Sequence, residues 1–128
     1  MVIETITDEE QYRKIHQEIF GQSDVPMPQV VRVCRTDSGD AVGIVAGLWL
    51  SDDYFYIQYG GILPKYRKHG YLRYFGSMLD PNIIYSLSIT NTNITAIKTA
   101  LSVGFIPVGF HLKNNTYFVQ FERGKLDG

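Results

Sequence analysis

The chain has 128 residues, enough for one hydrophobic core and too few for two, so we expect a single domain over residues 1–128. Its 45% hydrophobic and 20% charged content is ordinary for a globular protein and excludes disordered and fibrous classes. A net charge of -1 argues against a protein built for nucleic acid, and no apolar run or leader pattern indicates a membrane partner. A cytoplasmic location is the resulting expectation.

The N-terminal part of the sequence predicts a strand, a helix and a loop. Residues 1–5 have strand composition. Thr7 and Glu10 then form a capping-box pattern, which predicts a helix that starts with Thr7 as N-cap and runs to about Phe20. Gly21 is the expected helix stop. Residues 22–28 contain two prolines and predict a loop.

β-Branched and apolar segments predict the next strands, joined by turns at residues 36–40 and 51–53: Val30–Arg35, Ala41–Leu50 and Tyr54–Ile62. Cys34 is the only cysteine, so no internal disulfide can form, and we interpret it as a small strand or core residue.

The C-terminal half predicts two helices and three strands. Residues 72–79 have helical spacing, and Asp80 with Pro81 ends that helix. Ile83–Ile89 predicts a buried strand that follows a crossover and therefore pairs in parallel with its predecessor. A helix begins near Asn93. The last hairpin is predicted from two strands around a turn at 113–115: Phe105–Leu112 and Thr116–Glu122.

The segment after the Tyr54 strand indicates an anion site. A glycine pair, Gly60–Gly61, leads into a basic turn in which Arg67, Lys68 and Gly70 lie where a helix starts. Unpaired N–H groups at such a turn can hold a pyrophosphate without a metal, and we expect no metal here. The glycine pair has two interpretations, a β-bulge or a close backbone contact.

Two motifs resemble those of the GNAT superfamily of acetyl-CoA-dependent N-acetyltransferases. One is Arg67-Lys68-His69-Gly70-Tyr71-Leu72, and the other is the segment from Asn93 to Phe105, with Ala96-Ile97 and a final Gly104-Phe105. The resemblance covers Asp53 to Phe121. It implies an α/β (α+β) fold with a mixed, mostly antiparallel twisted sheet of about six to seven strands, flanked by about three helices. An early helix of the family is missing or reduced to the loop at 22–28.

The resemblance also implies where acetyl-CoA binds. It places the cofactor where the Tyr54 and Ile83 strands part, with pantetheine on the backbone of Gly61, Ile62 and Leu63. The remaining implied contacts are the pyrophosphate-binding residues, which the family places in the basic turn, and a side chain at the start of the Asn-x-x-Ala helix: Arg67, Lys68, His69, Gly70, Tyr71, Leu72 and Asn93.

Three positions depart from the family pattern. Tyr56 stands near the position where many members have a glutamate base, although tyrosine is a poor base near neutral pH. Ala100 replaces the tyrosine that many members use as general acid. Leu72 replaces a glycine or alanine and would narrow the pyrophosphate pocket. The acid could come from another tyrosine, among which the sequence does not choose: Tyr54, Tyr56, Tyr66, Tyr71, Tyr74 or Tyr117.

The leading interpretation is an acyltransferase that moves an acetyl group from acetyl-CoA to a primary amine of a small molecule or protein. The alternatives are an inactive GNAT-like domain that serves as a CoA-binding, regulatory or protein-interaction module, and a small interaction protein that presents its tyrosine-rich strands. Aromatic strands near the C-terminus are compatible with a homodimer. Of the histidines, His16 is expected on the surface and His111 in a structural role, whereas His69 either touches a phosphate or is simply exposed.

Overall fold

The structure is a computed structural model that describes residues 1–125. It contains seven strands, three α-helices and a short 3₁₀ turn at Pro64–Tyr66. The strands are β1 (Val2–Ile6), β2 (Val30–Arg35), β3 (Ala41–Ser51), β4 (Tyr54–Ile62), β5 (Ile84–Thr90), β6 (Ile106–Lys113) and β7 (Thr116–Arg123), and the helices are α1 (Glu9–Phe20), α2 (Tyr71–Ser77) and α3 (Ile94–Ser102). Within residues 1–125, no helix has the length and apolar character that a membrane span requires.

The strands form one mixed sheet in the order β1-β2-β3-β4-β5-β7-β6. β4 and β5 are parallel neighbours, as the predicted crossover requires, and their ladder joins Tyr54–Tyr56 to Ile84–Ser86. The pairs β1–β2, β2–β3, β5–β7 and β6–β7 are antiparallel. The predicted fold class, a mostly antiparallel sheet of six to seven strands with three helices, is confirmed.

The predicted cap of α1 is wrong by one residue. Asp8, not Thr7, is the N-cap, and its carboxylate accepts hydrogen bonds from the N–H groups of Glu10 at 2.9 Å and Gln11 at 3.3 Å. An ionised carboxylate interacts more favourably with the positive helix start than a hydroxyl does, which explains the preference. The predicted stop is confirmed, because Gly21 has φ +76° and donates its N–H to the Gln17 carbonyl at 2.9 Å.

The prediction that His16 lies on the surface is also wrong. Its side chain is buried, and its Nδ1 lies 2.7 Å from the Gln22 carbonyl oxygen. The imidazole packs among aromatic rings, with centroids at 5.7 Å for Tyr12, 4.7 Å for Phe20 and 5.4 Å for Tyr59. His16 lies on the same face of α1 as Tyr12 and adds one residue to the buried face of the helix. The helical spacing of apolar residues alone does not reveal this burial.

The chain packs as two compact units. The first unit comprises Met1–Leu48 and Gln58–Leu72. Its core joins the apolar face of α1 to inward-facing residues of the strands: Ile6, Tyr12, Ile15, Ile19, Val31, Val33, Ile44, Ala46 and Leu63. Cys34 is buried in β2, as predicted. A Cβ on Gly61 would lie 2.6 Å from Ile19 Cγ2, so close contact with α1 explains this glycine.

The second unit comprises Trp49–Ile57 and the chain from Arg73 onward. Its buried residues include Phe55, Tyr85 and Phe121 from the strands and Phe75, Ala100 and Phe105 from the helical segments. The β6–β7 turn is confirmed at Asn114 and Asn115, whose φ values of +50° and +62° are those of a two-residue hairpin turn. His111 stacks on Phe118 with ring centroids 5.2 Å apart, in accord with a structural role.

A buried arginine in the second unit has no counterpart in the sequence predictions. Arg123 is only 3% exposed, and its guanidinium donates to the carbonyls of Gly76 at 3.4 Å, Leu79 at 3.4 Å and Asp80 at 3.2 Å. It also lies 5.3 Å from the centre of the Tyr85 ring. Carbonyl oxygens at the end of α2 therefore compensate a buried positive charge, which fixes the helix end in place.

Candidate functional site

The backbone after β4 folds into an exposed loop with two left-handed residues. The 3₁₀ turn ends at Arg67, which is extended with φ -69° and ψ 155°. Lys68 then has φ +67° and Gly70 has φ +77°, before α2 begins at Tyr71. Left-handed residues in an exposed loop interrupt regular backbone pairing and leave N–H groups accessible, and an accessible N–H group can donate to an anion. The predicted basic turn at the start of a helix is therefore present.

Most N–H groups of this loop are free of acceptors. The Arg67 N–H donates to the Pro64 carbonyl at 3.2 Å. Within residues 1–125, the next five N–H groups, from Lys68 to Leu72, donate no backbone hydrogen bond of normal geometry. Of the six residues predicted to meet a pyrophosphate through their N–H groups, Arg67 is thus the one whose N–H is already used. Because α2 has only seven residues, the loop N–H groups would contribute more to anion binding than the dipole of the helix.

The Arg67 side chain braces the loop. Its Nη2 donates to the Ile19 carbonyl at 2.9 Å, in the last turn of α1, and its Nε donates to the Ile62 carbonyl at 3.0 Å. Two of its donors are therefore bound to protein carbonyls. The structure assigns Arg67 a positioning role in addition to the positive charge that the sequence indicated.

The other basic side chains of the loop region are exposed. Lys65, Lys68 and His69 lie at the surface, and Lys65 Nζ is 5.0 Å from the centre of the Tyr66 ring. The Tyr71 ring contacts Tyr66 edge-on, with centroids 5.7 Å apart, and lies 6.3 Å from the His69 ring. Aromatic contacts thus fix the loop while its amines and amides stay accessible, which suits a phosphate-bearing ligand.

The backbone proposed for pantetheine is partly engaged within the first unit. The Leu63 N–H donates to the Val42 carbonyl at 2.8 Å, and the Ile62 carbonyl accepts from Arg67. Ile62 and Leu63 are buried, whereas Gly61 is half-buried. The segment Gly61–Leu63 and the loop from Arg67 to Leu72 therefore both belong to the first unit and are separated by only three residues in the chain. Leu72 itself is half-buried in the first turn of α2.

The other predicted site residues belong to the second unit. Tyr56 is half-buried on β4 and pairs with Ser86 of β5. Asn93 is the N-cap of α3, where its Oδ1 accepts from the Ala96 N–H at 3.2 Å, so its side-chain oxygen is used within the helix start. Ala100 is buried in α3, and its methyl side chain has no acidic proton to donate. The roles of Tyr56 and Asn93 remain predictions.

Sequence reasoning missed a polar contact on the sheet of the second unit. The Tyr54 hydroxyl donates to Glu122 Oε2 at 2.8 Å, and these residues are 68 positions apart. A hydrogen bond from Ser86 lowers the pKa of Tyr54, but burial and the Glu122 carboxylate together raise it further, so the net pKa lies above its ordinary value. Strand register brings the two residues together, and no local motif indicates it.

Tyr12 and Tyr59 form a second missed contact, in the first unit. Their hydroxyls share a hydrogen bond, and burial, followed by that bond, raises the pKa of Tyr59.

Among residues 1–125, no group of three or more His, Cys, Asp and Glu side chains is arranged to hold a metal ion.

Solved structures of acetyltransferases match the fold closely, whereas no protein-family model and no curated protein matches the sequence. A chimera of spermidine N-acetyltransferase SpeG from Vibrio cholerae and hSSAT has a TM-score of 0.80 at 12% identity, over 98% of this chain and 97% of that chain. The Vibrio cholerae spermidine N-acetyltransferase in complex with CoA and spermine gives 0.76 at 10% identity, over 97% and 95% of the two chains.

A third structure extends the comparison to a different acceptor. The ribosomal-protein-S18-alanine N-acetyltransferase from Escherichia coli has a TM-score of 0.72 at 13% identity, over 99% of this chain and 96% of that chain. The chain has the GNAT fold. The resemblance stated from the two motifs is confirmed at the level of the fold, and it extends over almost the whole chain.

Proposed function

We propose that this GNAT-fold protein is an N-acetyltransferase that transfers an acetyl group from acetyl-CoA to a primary amine. The observation that carries the proposal is the run of five acceptor-free N–H groups from Lys68 to Leu72, held by left-handed residues directly after β4. A pyrophosphate has several acceptor oxygens, which such a loop would bind, and exposed lysines add positive charge. The fold shared with acetyltransferases supports this ligand over other phosphates.

The proposed chemistry is direct transfer. The amine nitrogen attacks the thioester carbonyl, a C–N bond forms, the C–S bond breaks, and a proton moves from the amine to the departing thiolate. Orientation of the two reactants supplies much of the rate, since a thiolate is a fairly stable leaving group. We infer that the hydroxyl of Tyr56 orients the amine, so Tyr56→Phe would lower kcat while the Kd of acetyl-CoA stays unchanged.

The acceptor is proposed only as a primary amine of a small molecule or protein. Two of the similar structures are spermidine acetyltransferases, and one is named for a ribosomal protein alanine, so both acceptor sizes have support. We also infer from the sequence that the protein acts in the cytoplasm.

A two-step experiment tests this function. Thermal unfolding with and without saturating acetyl-CoA measures cofactor binding, because a ligand that binds only the folded state raises Tm. A thiol-release assay with a panel of amines then measures transfer. A rise in Tm with amine-dependent thiol release is expected. A rise without thiol release would instead identify an inactive CoA-binding module, and no rise in Tm would overturn the cofactor site.

We further propose that the protein forms a homodimer through the β6–β7 hairpin. β6 lies at the edge of the sheet, and it exposes large apolar side chains together with one on β7: Ile106 at 60%, Val108 at 56%, Phe110 at 74%, Leu112 at 56% and Tyr117 at 50%. Apolar surface concentrated in this way is typical of a protein–protein interface, and two copies of the same apolar patch can pack against each other about a two-fold axis.

Light scattering after gel filtration should give a dimer for the native chain and a monomer for Phe110→Asp. Leu50→Asp, with 58% exposure on β3, is the control that should remain dimeric.

A further inference from the structure

Three strands of the second unit place polar side chains in one row across the sheet. Ser86 on β5 pairs with Tyr56 of β4 on one side and with Glu122 of β7 on the other. Directly paired residues leave a sheet from the same face, so these three side chains share that face. Tyr54, two residues before Tyr56 on β4, belongs to the same face and donates its hydroxyl to Glu122 Oε2 at 2.8 Å.

The carboxylate in this row lacks a protein cation. Glu122 is half-buried, yet among residues 1–125 no lysine, arginine, histidine or terminal amine forms an ion pair with it. The nearby Lys125 pairs instead with Asp53 at 2.6 Å. An ionised carboxylate has about four acceptor positions, and the hydroxyl of Tyr54 fills one of them. Glu122 thus retains capacity for a further, positively charged donor.

The chemistry of the row selects a cation. A carboxylate and two phenol rings attract an ammonium group by charge and by cation–π contact, and they repel phosphate. An ammonium held by a carboxylate keeps its proton more firmly, because the opposite charge raises its pKa. A protonated amine has no lone pair with which to attack a thioester. The ammonium that Glu122 holds is therefore not the nitrogen that is acetylated.

We propose that Glu122, supported by Tyr54 and Ser86, binds a second ammonium group of the acceptor, while the Tyr56 hydroxyl orients the nitrogen that reacts, so that the substrate class is a diamine or polyamine. This inference rests on the proposed acetyltransferase function, which it makes more specific. Glu122 is on this account a specificity-determining residue, and Tyr54 positions its carboxylate.

A matched pair of acceptors tests the inference. A five-carbon diamine and pentylamine differ in the second amine alone, so the native protein should show a KM for the diamine that is lower by about 10- to 100-fold, the size of a charge-assisted interaction. Glu122→Gln should remove that difference. It should leave the KM for pentylamine and the Kd of acetyl-CoA within about twofold of the native values, since neither ligand has a second amine for Glu122 to hold. Glu4→Gln, a strand glutamate paired with Arg35, is the control that should retain the difference.

The readouts separate this inference from the proposed function. Equal effects of Glu122→Gln on both acceptors, or no preference for the diamine in the native protein, would overturn the inference while acetyl transfer stands. If the protein shows no transfer at all, NMR titration with the same two amines still decides. Shifts of the Tyr54, Tyr56 and Ser86 amides by the diamine, lost in Glu122→Gln, support the ammonium site. Their absence in the native protein refutes it.

Discussion

The loop from Arg67 to Leu72 and the row of Tyr54, Tyr56, Ser86 and Glu122, the two proposed binding regions, would recognise charge in opposite ways. The loop offers backbone N–H groups, whose direction depends on two left-handed residues. The row offers side-chain oxygens, whose grouping depends on strand register. A backbone site tolerates most changes of side chain and fails when its backbone conformation is lost, whereas a side-chain site fails when one functional group is removed. The two regions should therefore respond to different mutations.

Gly70→Val should give the largest effect on the loop. At φ +77°, a β-branched residue is strained by about 1–3 kcal/mol. A Cβ there would meet no atom within 4 Å, so the exposed loop can relax away from this conformation in the free protein. Binding must then restore it. The Kd of acetyl-CoA, measured by calorimetry, should rise roughly 5- to 150-fold, with little change in the free energy of unfolding.

Gly21→Val is the matched control for that experiment. Gly21 has φ +76° and equally open surroundings, but its N–H caps α1. The same strain should lower the free energy of unfolding and leave the affinity for acetyl-CoA unchanged. If Gly21→Val weakened binding as much as Gly70→Val does, the loop would have no special role.

Arg67→Ala should act mainly on stability. It removes donors from the carbonyls of Ile19 and Ile62, and charged hydrogen bonds of this kind contribute about 2 kcal/mol. Urea unfolding should show a loss of that order, and Arg67→Lys should recover part of it because one donor can still reach a carbonyl. A tenfold loss of acetyl-CoA affinity at unchanged stability would instead show that the guanidinium binds the ligand rather than the protein.

The same contrast explains what the sequence could predict. The loop was predictable because its signals are local: a glycine where φ is positive, basic residues beside it, and a strand and a helix on either side. The strands and helices follow equally from periodicity, and their observed bounds lie close to the predicted ones. Even so, the cap at Asp8 shows that two adjacent capping residues, Thr7 and Asp8, are not distinguished by spacing alone.

The row was not predictable because its members meet only through register. Ser86 and Glu122 are far apart in sequence, and a shift of one residue in the β5–β7 ladder would place their side chains on opposite faces of the sheet. The burial of His16 and Arg123 was missed for a similar reason. Their environments come from rings and carbonyls of other segments, and a polar residue in an otherwise solvent-facing pattern gives no sign of such partners.

Lys68→Gly should separate the conformation of the loop from its charge. Lys68 has φ +67°, which costs a residue with a side chain about 1 kcal/mol relative to glycine. Glycine should therefore raise the free energy of unfolding slightly, although part of the gain is offset by the greater freedom of the unfolded chain. The affinity for acetyl-CoA should fall a few-fold through loss of the positive charge, and less so at high salt. An affinity that rose on this change would mean that conformation alone limits binding.

A last effect should appear in the stability at high pH, where tyrosines of both units contribute. Burial, and then the hydrogen bond with Tyr12, raises the pKa of Tyr59, and the pKa of Tyr54 is also raised. Below the ordinary tyrosine pKa of about 10, the folded and the unfolded protein both keep these protons, and the free energy of unfolding has its full value. Above it, the unfolded chain releases protons that the folded protein retains, so the free energy of unfolding falls as pH rises. Urea unfolding between about pH 9 and 11 should show this fall in the native protein. Tyr59→Phe should flatten it clearly and Tyr54→Phe only slightly, because Tyr59 has the larger shift. A steeper fall in either variant would contradict the raised pKa of that tyrosine.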